Sequence, residues 1–182
     1  MRILITGGTG FIGTQLCQRL LQEQHQLLVL TRRPAQVPGA IEAIQNLDQL
    51  DAALYFDVVI NLAGEAIAAK RWSEGQKREI IESRINTTRA LIAYFKRAKR
   101  KPSLLISGSA IGYYGLGDAS NAADASAPVD EDGGGDQGFS SQLCQQWEAV
   151  ALEARELGIR TCLLRTGIVL GRGGALAKIR RA

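Results

Sequence analysis

The sequence has little that would commit it to a metal, a disulfide framework or a membrane. Its three cysteines, Cys17, Cys144 and Cys162, stand far apart, with neither paired nor metal-ligand spacing. Each falls within a periodic apolar segment, which predicts buried free thiols and no metal. No apolar run approaches the ~20 residues of a membrane-spanning helix, so no membrane association is expected. The chain opens on a strand-like run instead of a charged and then apolar leader, which predicts a cytoplasmic protein. Internal repeats and low-complexity tracts are absent. Aromatic residues make up only 5 % of the chain and do not interleave with its basic residues. A nucleic-acid partner is therefore not expected, although the net charge is +4.

The charge is unevenly spread. Residues 1–102 hold 15 basic and 9 acidic side chains, residues 103–157 hold 1 and 9, and residues 158–182 hold 6 and none. The basic first part reads as solvated helix faces plus local phosphate binding. A length of 182 residues suits one domain with a large core.

What is present is concentrated at the start, in MRILITGGTGFIG. Ile3-Leu4-Ile5 reads as a buried strand. Beyond Gly13 the apolar period turns helical, with Ile12, Leu16 and Leu20 one turn apart. A strand, a glycine turn and a helix in that order form a dinucleotide-binding context. Gly7 suits a tight turn, Gly10 lets a pyrophosphate approach the backbone, and Gly13 lets the helix sit close on the strand. The phosphate would then meet free N–H groups and the positive end of the helix dipole.

Strand two, Leu27 to Leu30, leads into Thr31-Arg32-Arg33-Pro34. An NAD site expects a carboxylate here, about 20 residues after the glycines, to accept from the ribose hydroxyls. It is missing. Two arginines suit a 2′-phosphate by charge and fork geometry, so NADP(H) is the expected cofactor. Ile41 to Leu47 reads as a short edge strand and Asp48 to Tyr55 as a short helix. Asp57 to Ile60 is a further strand, leaving through Asn61-Leu62-Ala63-Gly64, whose small side chains would let the adenosine and ribose half of a cofactor pass close to the backbone.

A long helix is expected from Ser73, its N-cap, to Lys99, with Ile81, Ile85, Thr88, Ile92 and Phe95 in a stripe at helical spacing. Arg84 lies at the edge of its apolar stripe, where a charge either snorkels or meets an anion. The basic run from Lys96 to Lys101 suits the carboxyl end of a helix dipole. Strand Leu104 to Ile106 leaves into Ser107-Gly108-Ser109-Ala110-Ile111-Gly112-Tyr113-Tyr114-Gly115, hydroxyls placed where chemistry would occur. Residues 116–138 form a long acidic loop, readable as a lid or as an insertion. A helix from Phe139 to Leu157 ends at Gly158, and Thr161 to Arg165 is the last strand. The alternation predicts an α/β fold: a Rossmann-type doubly wound parallel sheet in three layers, with six or seven strands.

Taken together, these motifs resemble the extended short-chain dehydrogenase/reductases. More narrowly, they resemble the atypical epimerase-like subfamily often labelled nucleoside-diphosphate-sugar epimerase. The resemblance rests on Thr6 to Gly13, Asn61 to Glu65, Arg71-Trp72, Ser83-Arg84, Ser107 to Gly115, Trp147-Glu148 and Leu164 to Gly171. It implies one NADP-binding Rossmann domain over residues 1–182. The cofactor-binding residues expected are Gly7, Thr9, Gly10, Phe11, Ile12, Gly13, Thr31, Arg32, Arg33, Leu62, Ala63, Gly64 and Arg84. Extended members continue for a substrate-binding lobe, so residues 175–182 read as a helix cut short.

The family pattern is not met throughout. Its Tyr-x-x-x-Lys pair, a proton donor and the cation that activates it, falls here on Phe139 and Leu143. Its structural asparagine falls on Arg84. The catalytic candidates left are Ser109, Tyr113 and Tyr114, although the tyrosines serve equally well as loop packing. An unperturbed tyrosine titrates near pH ~10. Either would therefore need a cation such as Arg84 beside it. The implied function is an NADP(H)-dependent oxidoreductase or epimerase-like protein acting on a small carbonyl or nucleotide-sugar type substrate. The alternative is a non-catalytic NADP-binding regulator, with a link to cell division implied by the labels of some relatives. Assembly into a homodimer is left open.

Overall fold

A computed structural model describes residues 1–67, 70–115 and 129–171. The expected helix over 175–182 and most of the 116–138 loop lie outside the described residues. Six parallel strands are present: β1 Arg2–Thr6, β2 Gln26–Leu30, β3 Glu42–Ile44, β4 Val58–Asn61, β5 Leu104–Ala110 and β6 Arg160–Thr166. Their order is β3-β2-β1-β4-β5-β6. The chain runs outward from β1 to one edge, returns, and runs outward to the other. The order thus reverses between β1 and β4, where ligands bind in open parallel sheets.

The helices are α1 Phe11–Gln22, α2 Glu74–Arg97 and α3 Phe139–Leu152. Alternation along the strands explains the layers. Leu4, Leu28, Val59 and Leu105 face α2 and α3, meeting Leu91, Phe95 and Ala151. Ile3, Ile5, Val29 and Ile60 face the other way, towards Cys17 and Leu20 of α1. Register holds each set in a row, with Leu4 opposite both Leu28 and Val59, and Val59 opposite Leu105. Strands buried on both faces read as continuous apolar runs, and these do.

Local signals place the helix ends. The Ser73 hydroxyl accepts from the Gln76 amide at 3.2 Å and starts α2. Gly158, at φ 76°, closes the turn after α3 in the left-handed region. The basic run after α2 has structural tasks. Lys101 Nζ donates to the Lys96 and Ala98 carbonyls at 3.1 and 2.7 Å. Arg97 donates to the carbonyls of Leu50 and Leu47, and Arg100 lies over the Tyr55 ring.

Three expectations are corrected. Asp48 to Tyr55 is not a helix; a single 3₁₀ turn, Leu47–Gln49, has its amino-terminal end closed by reciprocal bonds of the Asn46 and Gln49 side chains and then opens out. The helix from Phe139 stays regular only to Leu152 and tightens to a 3₁₀ turn over Glu153–Leu157. Cys17 and Cys144 are buried, but Cys162 is exposed. It sits on edge strand β6, paired with Ile106 beyond the reach of α1.

Candidate functional site

The turn after β1 is built as a phosphate cradle. Gly7 stands at φ +72°, and a Cβ there would come within 2.6 Å of the Leu62 backbone. A Cβ on Gly13 would overlap the Gly7 carbonyl. A side chain at Gly7 would thus force the turn away from the exit of β4, and one at Gly13 would push α1 off the turn. The Gly10 amide donates to the Gly7 carbonyl at 2.9 Å, and the first helical bond runs from Thr14 to Gly10. The amides of Phe11, Ile12 and Gly13 precede that bond. No side chain caps α1, and its first turn carries no carboxylate. Bare N–H groups, a helix dipole and an open Gly10 fit the diphosphate of a dinucleotide.

This turn borders a cleft of about 560 Å³ at the carboxyl ends of β1, β2 and β4. The cleft gathers most of the residues singled out in the sequence: Gly7, Thr9, Gly10, Thr31, Arg32, Arg33, Leu62, Ala63 and Gly64. Glu65 and Ser83, which belong to the motifs that carry the resemblance, also line it, and Gln36, Gln45 and Thr87 join them without prior signal. Thr9 and Thr31 hydroxyls meet at 3.3 Å, and Thr31 also accepts from the Arg33 amide at 3.1 Å, which shapes the arginine turn. Arg32 is exposed at the rim, 3.8 Å from Glu65 across the cleft. An exposed pair of this kind is weak, and an arriving phosphate would compete for the guanidinium.

The far wall, Leu62 to Gly64, is held from behind. The Thr6 hydroxyl accepts from the Ala63 amide at 3.1 Å and donates to Asn61 at 2.6 Å. Asn61 Nδ2 donates to Thr88 and Ser107 hydroxyls at 2.9 and 3.3 Å. Trp147 Nε1 donates to the same Thr88 oxygen at 3.1 Å. Thr6, Asn61, Thr88 and Ser107 are all fully buried. A satisfied buried network of this kind locks one geometry.

Arg84 lies behind this wall, not in it. Its side chain is packed under Gly64, whose Cβ, if present, would meet Arg84 Cζ at 2.7 Å. Its guanidinium stands 5.2 Å from the Trp147 ring centre. Burial lowers its pKa from the ordinary arginine range, an effect that nearby Cys144 and Glu65 partly oppose.

The catalytic candidates form a second cluster, at the end of β5. The Ser109 hydroxyl donates to Glu148 Oε1 at 2.5 Å. Arg165 grips both oxygens of Glu148, Nε to Oε1 and Nη2 to Oε2, each at 2.9 Å. Arg165 Nη1 donates to the Tyr114 hydroxyl at 3.0 Å and to the Glu131 carbonyl at 2.8 Å. The guanidinium also stacks on Tyr113, 3.5 Å from its ring centre. The cation beside Tyr114 is thus Arg165, where the sequence suggested Arg84. Its bonds to Glu148 raise the Arg165 pKa further above its already high range. Phe139 packs edge-on against Trp72 at 5.1 Å, and Leu143 is buried. That face of α3 presents no proton donor at either position.

The NAD dependent epimerase/dehydratase family matches residues 3–181. The chain belongs to that family. It is 38% identical to human epimerase family protein SDR39U1, covering 96% of this chain and 56% of that one. It is 36% identical to epimerase family protein YfhF of Bacillus subtilis, covering 97% and 57%. The chain thus spans about half the length of these relatives. Among solved structures, human SDR39U1 (isoform2) with NADPH superposes with a TM-score of 0.80 at 34% identity, covering all of this chain and 59% of that one. A UDP-galactose 4-epimerase superposes with a TM-score of 0.75 at 23% identity, a likeness of fold. The fold is that of an extended short-chain dehydrogenase/reductase. Among the described residues no helix is long and apolar enough to cross a membrane, and no acidic, cysteine and histidine cluster could hold a metal.

Proposed function

We propose that residues 1–182 are the NADP(H)-binding Rossmann domain of an epimerase-like oxidoreductase acting on a small carbonyl or nucleotide-sugar type substrate. The observation that carries it is the single cleft that brings Gly7, Gly10, Arg32, Arg33 and Gly64 together. Phosphates would lie on the amides at the start of α1, the 2′-phosphate on Arg32 and Arg33, and the ribose along Leu62 to Gly64. The human relative solved with NADPH supports the same cofactor. When bound, the nicotinamide supplies hydride transfer, and the protein supplies position and a proton path.

The proton path belongs to the second cluster. Ser109 has given its proton to the bond with Glu148, so its oxygen is left as an acceptor. Tyr114 accepts from Arg165, so its own proton is turned away from that cation and stays available to a substrate oxygen. Tyr113 is a wall, stacked on Arg165. In this reading Ser109, Tyr114, Glu148 and Arg165 take over from the missing tyrosine–lysine pair.

Two measurements test the proposal. NADPH should bind more tightly than NADH, and Arg32→Ala with Arg33→Ala should remove the difference. Equal affinities in the unaltered protein would refute the cofactor choice. For the chemistry, NADPH consumption is followed over a panel of carbonyl and nucleotide-sugar compounds with the protein, and Tyr114→Phe should abolish it while NADPH still binds. A second reading, a regulator without catalysis, is favoured by Phe139 and Leu143. Tight binding with no turnover over the whole panel would select it.

A further inference from the structure

Arg84 is a buried cation with little to balance it. Its residue is 8 % exposed, and its Nε has no hydrogen-bond partner. Nη1 donates to the Ile80 carbonyl, one turn back in α2, at 3.0 Å. Among the described residues no carboxylate lies within ion-pair distance of it, and Glu65 pairs with Arg32 instead. A buried guanidinium normally has a carboxylate against it. Here its neighbours are the Gly64 backbone and the Trp147 ring, and Trp147 in turn abuts Gly108 on β5.

That position has a meaning once the direction of the cleft is set. Arg32 and Arg33 follow β2, on one side of the glycine turn. Gly64 follows β4 and Gly108 lies on β5, on the other side. A dinucleotide with its 2′-phosphate on the β2 side must carry its nicotinamide half past Gly64 towards β5. Arg84, packed between Gly64 and Trp147, lies behind the wall along that path. The nicotinamide ring carries a positive charge when oxidised and none when reduced. A fixed, desolvated cation close by opposes the oxidised form and is indifferent to the reduced one.

We infer that Arg84 makes this site discriminate between the redox states of its cofactor, holding NADPH in preference to NADP⁺. Gly64 is part of the device, because a side chain there would displace the guanidinium. The attraction of Arg84 for the cofactor phosphates is common to both forms and cancels in their ratio. The inference rests on the NADP(H) reading above and goes beyond it. It concerns which redox state the protein retains, whether or not it turns over.

The test is calorimetric titration of the protein with NADPH, NADP⁺ and 2′,5′-ADP, which lacks the nicotinamide. The unaltered protein should bind NADPH more tightly than NADP⁺. Arg84→Met, which keeps the apolar stem and removes the charge, should narrow the ratio by on the order of tenfold while 2′,5′-ADP still binds. Arg84→Lys should retain the preference. Equal affinities for NADPH and NADP⁺ in the unaltered protein would overturn the inference without any variant. So would a ratio unmoved by Arg84→Met while 2′,5′-ADP still binds. If none of the three nucleotides binds the unaltered protein, it is the cofactor reading itself that fails.

Discussion

Glu148 and Arg165 show how single side chains decide the character of the second cluster. Glu148 is almost fully buried and satisfied by three hydrogen bonds, one from Ser109 and two from Arg165. A buried ion pair adds little over an apolar pair of the same shape, but removing one partner strands a charge. Arg165→Met should therefore destabilise the protein by up to about 3 kcal/mol, measured by urea unfolding. Adding Glu148→Gln should restore part of that loss, because the stranded charge goes with it. Additive losses in this cycle would mean the two residues act separately. In the sequence Glu148 stood out only within the Trp147-Glu148 motif of the resemblance, and nothing there gave it a partner. That the partner is Arg165, seventeen positions on and in a strand, is decided by packing α3 across β5 and β6.

At the scale of the element, Thr88 joins three of them. Its one hydroxyl accepts from Asn61 at the end of β4 and from Trp147 on α3, while it donates to the Arg84 carbonyl within α2. Thr88→Val keeps the shape and leaves two buried donors unpaired. The expected cost is about 1–3 kcal/mol, visible in the midpoint of denaturant unfolding. Because Asn61 precedes Leu62 to Gly64, nucleotide affinity should fall with it. An unchanged midpoint would show that the network is not holding the cleft wall. Periodicity placed Thr88 on the inner stripe of α2 but had no means of showing which polar groups would meet there.

For the whole molecule, burial sets the response to alkali and to thiol reagents. Burial pushes the Cys17 and Cys144 thiols up from their ordinary value of 9.0, and the Tyr94 hydroxyl up from 10.0. In each case the folded state favours the neutral form. Their contribution to stability is therefore complete below about pH 9 and is lost as pH rises through the folded-state values. Thermal midpoints should be level from pH 7 to 9 and fall beyond, and a midpoint that rises with pH would contradict this account. At pH 8 an alkylating reagent should modify Cys162 alone in the native protein and all three cysteines once it is unfolded. Rapid native labelling of Cys17 or Cys144 would show that the layers on either side of the sheet open more readily than their packing implies.

The strand–glycine–helix opening, the strands buried on both faces, the arginine turn and the small-residue exit after β4 could all be read along the chain. Each depends on neighbours within a few residues: a dihedral only glycine tolerates, an apolar period, a cap. The same local rules misplaced a helix at Asp48 to Tyr55, where the Asn46–Gln49 cap closed a single turn. The placing of Arg84 behind Gly64, the grip of Arg165 on Glu148 and the exposure of Cys162 depended instead on which elements the sheet order set side by side. Charge and hydrogen bonding act over a few ångströms in space, whatever the distance along the chain. Tertiary structure alone therefore decided what these side chains face.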